Sequence, residues 1–265
     1  MPQVQDRPSL PMSKRLLQIN DQTHEKGTAM QRPAIAPSLM CMDPANVLYD
    51  IRAMDESFDL YHVDVMDAHF CPNMALTPAF ANALRKMTGL PMDVHLMVED
   101  PVMFTEMLEL GPADSISFQA ETIERNAFRL SQRVHEKGNR FGVVLSPSTP
   151  LSAIDGYKER IDILTIMTVD TGFAGQAFIP EMLVKVEAAK RLRQECGLSF
   201  QIQLDGQCNE RTFKTLYDTG ADILIVGNSG LFSLDSTIEG AIDAFWDSFE
   251  AQTGVRPNHD CALSA

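Results

Sequence analysis

The chain has 265 residues, a hydrophobic fraction of 45% and a formal net charge of −14. That length suits one large α/β barrel or two ordinary domains, with apolar residues enough for a sizeable core. The acidic balance argues against a nucleic-acid partner, since phosphate backbones select Lys and Arg, and no apolar run approaches the roughly 20 residues that span a bilayer.

Residues 1–32 are polar, carry Lys14 and Arg15 without an apolar stretch behind them, and read as a disordered extension rather than a secretory signal. From residue 34, short β-branched runs alternate with amphipathic stretches. Strands are expected at 34–40, 60–66, 91–97, 114–119, 140–145, 162–169, 199–205 and 222–227. Helices are expected near 44–57, 77–88, 101–110, 123–137, 151–159, 180–195, 209–219 and 235–250. Asp43-Pro44, Thr77-Pro78 and Asp100-Pro101 each read as an N-cap followed by Pro at the first helical position. Gly89, Gly111, Gly138, Gly197 and Gly220 fall just past helices, where a left-handed residue is wanted. Residues 251–265 form a polar tail. Eight strand–helix pairs without an intervening linker predict an α/β fold, a single (β/α)8 TIM barrel over 33–250. A doubly wound sheet is the alternative, and it lacks a G-x-G-x-x-G turn after the first strand. The five cysteines show no C-x-x-C spacing and read as reduced thiols of a cytoplasmic protein.

In such a barrel, functional groups sit at the C-terminal ends of the strands. His62-Val63-Asp64-Val65-Met66-Asp67 and Asp93-Val94-His95-Leu96-Met97 each carry an imidazole where aliphatic residues are expected. Alternation puts His62, Asp64 and Met66 on one strand face, and Asp93, His95 and Met97 on one face of the next strand. His62 and Asp64 are placed late in strand two, His95 late in strand three, Asp205 at the end of strand seven and Ser38 near the end of strand one. Two imidazoles and two carboxylates suit a divalent ion such as Zn²⁺, Mn²⁺, Fe²⁺ or Co²⁺. His62, Asp64, His95 and Asp205 are therefore the candidate ligands. Any one of them alone is more plainly a hydrogen-bonded core residue; four at one mouth weaken that reading, because unpaired buried carboxylates are costly. Gly172-Phe173-Ala174-Gly175-Gln176, Gly206-Gln207 and Gly227-Asn228-Ser229 follow strands six, seven and eight. Three glycine-bearing loops side by side can bring backbone amides against a phosphate, which reconciles the acidic chain with an anionic small ligand.

These segments, with Pro37-Ser38-Leu39-Met40, Val169–Gln176 and Leu204-Asp205-Gly206, resemble the ribulose-phosphate 3-epimerase family, in order over about residues 33–250. The stretches 38–43, 172–176, 178–182 and 226–232 are most similar to its allulose-6-phosphate 3-epimerase branch. The resemblance implies a 3-epimerase of a phosphorylated 2-ketose, first allulose 6-phosphate to fructose 6-phosphate, with ribulose 5-phosphate as the alternative. It also implies one divalent ion per subunit and a homo-oligomer. Asp64 and Asp205 would then be both metal ligands and the catalytic proton carriers, one for each face of C3, while the ion offsets the charge of the ene-diolate. Substrate contacts are expected from Ser38 and His95, and at the phosphate from Gly172, Phe173, Ala174, Gly175, Gly206, Gln207, Asn228 and Ser229. Met40, Met66, Met97 and Met167 would form an apolar collar that excludes water; flexible core filler is the plainer reading of them.

The chain departs from the family pattern at five places. Thr171 stands where Pro is usual, Ala68 where Gly is usual, and Gln119 begins a Gln-Ala-Glu where His-x-Glu is common. Gln207 and Asn228 replace Gly, Ser or Thr. These changes bear on the substrate, since all four ligands are present. The related barrel decarboxylases use D-x-K-x-x-D, and Asp64-Val65-Met66-Asp67 lacks the lysine. A sugar-phosphate-binding barrel without catalysis is the non-enzymatic alternative.

Overall fold

A computed structural model of the chain describes residues 32–256; the N-terminal extension expected before residue 32 and the last nine residues of the tail lie outside them. Eight strands follow one another as β1 (Ala34–Pro37), β2 (Tyr61–Met66), β3 (Met92–Met97), β4 (Ser115–Gln119), β5 (Arg140–Leu145), β6 (Ile163–Met167), β7 (Gln201–Asp205) and β8 (Ile223–Val226). Every pairing is parallel, in the order β1-β8-β7-β6-β5-β4-β3-β2. A parallel bridge between Ser38 and His62 joins β1 to β2 and closes the ring. The (β/α)8 TIM barrel expected from the alternation is the observed fold.

Strand alternation divides the core in two. Val63 and Val65 of β2, Val94 and Leu96 of β3 and their counterparts on other strands pack outward against the helices in one continuous apolar cluster. Each such side chain contributes roughly 1.5–3 kcal/mol on full burial. The intervening residues face the lumen, and there the lower layers are polar: His62, Asp93, Ser115, Ser117, Thr165 and Gln203 are all buried. Gly142 makes room for this layer, because a Cβ at that position would stand 2.0 Å from Ser117 Oγ.

The connections differ from expectation where local chemistry competes. Thr77 and Asp100 cap the helices Pro78–Leu84 and Pro101–Glu106 as predicted, but the first helix starts at Val47. Asp43 instead accepts from Ala45 N and Asn46 Nδ2, closing a turn ahead of that helix. The expected helix 123–137 is split into Ala120–Ile123 and Ala127–Glu136, and 151–159 is two short 3-10 turns, Leu151–Ile154 and Lys158–Arg160. Gly138, Gly197 and Gly220 take the left-handed conformation, whereas Gly89 and Gly111 do not; Gly111 N is already used by the Asp114 carboxylate. The last helix runs Ile238–Thr253, so the first residues assigned to the tail are helical. Arg32, assigned to the extension, pairs with Asp59 and lies over the Trp246 ring.

Candidate metal centre at the barrel mouth

The register of β2 against β3 builds the site in layers: His62 lies beside Asp93, Asp64 beside His95, and Met66 beside Met97. His62 is therefore not late in its strand; it is the second residue of β2, one layer below Asp64. Asp205, last residue of β7, reaches the same volume from across β8 and β1. One donor atom from each of His62, Asp64, His95 and Asp205 lies within 4.8 Å of the others. His62 Nε2 is 3.2 Å from Asp64 Oδ1 and 3.9 Å from Asp205 Oδ2, and His95 Nδ1 is 3.3 Å from Asp64 Oδ1.

These residues fit a cation. Four tetrahedral donors at about 2.0–2.2 Å from one ion lie about 3.3–3.6 Å apart, close to the spacings above. Both imidazoles are completely buried, yet His62 Nε2 and His95 Nδ1, the nitrogens that face Asp64, make no hydrogen bond among the described residues. Buried nitrogens without partners are costly unless something else occupies them. The charges agree. Burial opposes protonation of His62, but Asp64 and Asp93 raise its pKa well above the imidazole range. Burial alone would raise Asp64, but the His62 and His95 rings hold it well below the usual carboxylate range. Burial pushes Asp205 up to about 6, with His62 drawing it down and Asp64 adding to the rise. A group of buried carboxylates around two imidazoles thus attracts positive charge, whether a proton or a metal ion.

Further buried groups orient the ligands. Asp93 accepts from Ser115 Oγ at 2.7 Å, Ser117 Oγ at 2.6 Å and Gln203 Nε2 at 2.7 Å, and its Oδ2 lies 3.2 Å from His62 Nδ1. That is the carboxylate–imidazole arrangement that fixes a metal-binding ring. Asp93, two residues before His95 on the same face of β3, is a supporting residue that the sequence pattern alone does not assign. Gln119 Nε2 lies 2.8 Å from His95 Nε2, and Ser38 Oγ donates to Asp64 Oδ2 at 2.7 Å.

Above the four residues opens a cavity. Ser38, Asp64 and Asp205 line it, together with Met40, Met66, Met97 and Met167 and the predicted loop residues Gly172, Phe173, Ala174, Gly175, Gly206, Gln207, Asn228 and Ser229. His95 does not line it; its Nδ1 faces Asp64, which does. Gly206 has φ +124°, and a Cβ there would collide with Val169 and Thr168. The Gln207 side chain is spent on the loops themselves: its amide nitrogen donates to Gln176 O, and its carbonyl oxygen accepts from Asn209 Nδ2 and Ser229 Oγ. Among the described residues no helix is long and apolar enough to cross a membrane.

Fold and site together define a (β/α)8 barrel with a buried two-histidine, two-aspartate centre under a glycine-lined mouth. Residues 34–232 match the model of the ribulose-phosphate 3-epimerase family. The chain is 36% identical over 197 residues to the ribulose-phosphate 3-epimerase of Bacillus subtilis, covering 74% of this chain and 90% of that protein. It is 35% identical over the same length to the enzyme of that name from Synechocystis, covering 74% and 86%. Among solved structures, 3-hexulose-6-phosphate synthase from Salmonella typhimurium superposes with a TM-score of 0.59 over 83% of this chain and 99% of that one, at 13% identity, a likeness of fold alone. The chain belongs to the ribulose-phosphate 3-epimerase family, and it is an isomerase acting on carbohydrates.

Proposed function

We propose that the chain is a metal-dependent 3-epimerase of a phosphorylated 2-ketose, interconverting allulose 6-phosphate and fructose 6-phosphate. The observation that carries this reading is the convergence of Asp64 and Asp205, which come from strands on different sides of the lumen and line a cavity walled by glycine loops, with two imidazoles whose nitrogens lie within 4.8 Å of them. Inverting C3 requires removal of a proton α to the carbonyl and return of one to the other face. Two carboxylates approaching from β2 and β7 are suited to it, one ionised as base and the other protonated as acid. A divalent ion held by His62, Asp64, His95 and Asp205 supplies Lewis-acid stabilisation of the negative charge that develops on the substrate oxygens. Ser38 occupies one oxygen of Asp64 and fixes the carboxylate plane. The four methionines carry no exchangeable proton and keep the surroundings of the two carboxylates apolar. In this reading the backbone around Gly172–Gly175, Gly206 and Gln207, with Asn228 and Ser229, holds the phosphate, and neutral amides suit an acidic chain.

The barrel, 33–250 in sequence, carries the activity; the segments flanking it are appendages, and the enzyme is a cytoplasmic homo-oligomer. The six-carbon substrate is favoured by the stretches 172–176 and 226–232. Ribulose 5-phosphate is the second reading, favoured by the names of the curated relatives. Coupled assays of metal-loaded protein on each ketose phosphate separate them. The account predicts kcat/KM at least about tenfold higher on allulose 6-phosphate, the scale on which one extra substrate group discriminates. The reverse preference replaces the substrate, and no turnover of either removes both as substrates.

A further inference from the structure

Two of the departures from the family pattern, Gln119 and Thr171, meet through a third residue. Gln119 ends β4, completely buried, with Nε2 2.8 Å from His95 Nε2. Its Oε1 accepts from Ser146 Oγ at 3.2 Å, and Ser146 Oγ lies 3.1 Å from Thr171 Oγ1. Ser146 is the first residue after β5, and Thr171 immediately precedes the segment Gly172–Gly175 that walls the cavity. The chain is anchored at its middle and beside its loop end. Lys185 Nζ donates to the carbonyls of Ser146 and Pro147, each at 2.9 Å, and of Thr149 at 2.7 Å. Asn73 Nδ2 donates to Gly172 O at 2.7 Å.

We propose that Gln119, Ser146 and Thr171 are positioning residues that couple the loop after β6 to the metal ligand His95, so that cation binding orders the loop. The inference rests on the metal-centre reading above. His95 offers Nδ1 to the centre and Nε2 to Gln119. A neutral ring that gives Nδ1 to a cation keeps its proton on Nε2 and needs an acceptor there. Gln119 meets that need by turning its carbonyl oxygen to the ring and its amide nitrogen to Ser146. Ser146 then accepts from Gln119 and gives its own proton to Thr171. An amide serves either polarity, because it is acceptor on one side and donor on the other. Thr171 terminates the chain with a hydroxyl; proline in its place has none. Coupling of this kind is reciprocal: whatever orders the loop also tightens the cation.

The test uses metal-free full-length protein titrated with Co²⁺ by calorimetry, in wild type, S146A, T171V and T171S. Hydrogen exchange of the peptide covering residues 168–178 is followed with and without Co²⁺. Wild type is expected to bind one Co²⁺ per chain and to slow exchange in that peptide. S146A and T171V should bind about tenfold more weakly and lose the metal-induced protection, while T171S, which keeps the hydroxyl, behaves as wild type. Wild-type affinity and protection in both S146A and T171V overturn the coupling, as does weaker binding with unchanged loop exchange. Failure of wild type to bind Co²⁺ overturns the metal centre itself and the coupling with it. Thermal midpoints of the metal-free variants report folding, and if S146A does not fold, T171V against T171S decides.

Discussion

At the scale of single residues, the site is a set of buried groups each of which needs the others. Asp64 is held between two imidazoles and a serine hydroxyl, and its side chain is only 4% exposed. Asp205, at 17%, is the more open of the two carboxylates, and its Oδ2 stands 3.9 Å from His62 Nε2. Asp205→Asn keeps a ligand oxygen but cannot take up a proton as a carboxylate does. Its kcat should fall by about 10³-fold or more, with weakened but measurable metal binding in the same preparation. Unchanged kcat would show that Asp205 is not a proton carrier. Asp93→Asn addresses the support rather than the chemistry. Loss of the carboxylate beside His62 Nδ1 should weaken metal affinity about 10–100-fold, read by titration of the metal-free protein; wild-type affinity would remove Asp93 from the centre.

At the scale of elements, the strands were legible because alternation is a physical requirement of a sheet covered by helices. Val63, Val65, Val94 and Leu96 belong to the outer core, and the residues between them point inward. The four candidate ligands were legible for the same reason: an imidazole or carboxylate on the inner side of a parallel strand stands where an aliphatic residue is expected. The supports were not, because their partners are across strands. Asp93 is defined by Ser115, Ser117 and Gln203, and Gln119 by His95 and Ser146. The helix expected at 151–159 failed where Gly156 separates two short turns. The loop after β2 carries a strain that the sequence pattern announced: Ala68, at a position where glycine is usual, has φ 61°. Ala68→Gly should raise stability by about 1 kcal/mol, the left-handed cost for an L-residue less the entropy glycine adds to the unfolded chain. Chemical denaturation measures it, and a loss of stability would mean that the alanine methyl packs favourably.

At the scale of the whole molecule, the lumen concentrates negative charge in a chain that is already acidic, with a net charge of −14. Asp64, Asp93 and Asp205 surround His62 inside the barrel, so a cation that binds the folded state alone stabilises the whole barrel. At a hundred times the dissociation constant the gain is about 2.7 kcal/mol, or roughly 5–10 °C in Tm for a domain of this size. Calorimetry with and without a chelator checks it, and an unchanged Tm would contradict a resident ion. The central claim is that this centre moves a proton at C3 of a ketose phosphate, and the most direct test is to watch that proton. Metal-replete protein is incubated in D₂O with several 2-ketose phosphates, including allulose 6-phosphate and ribulose 5-phosphate, and followed by proton NMR. The account predicts loss of the C3 proton signal together with appearance of the C3 epimer. Binding without exchange for every ketose phosphate tried would contradict it and leave a sugar-phosphate-binding barrel in place of an enzyme.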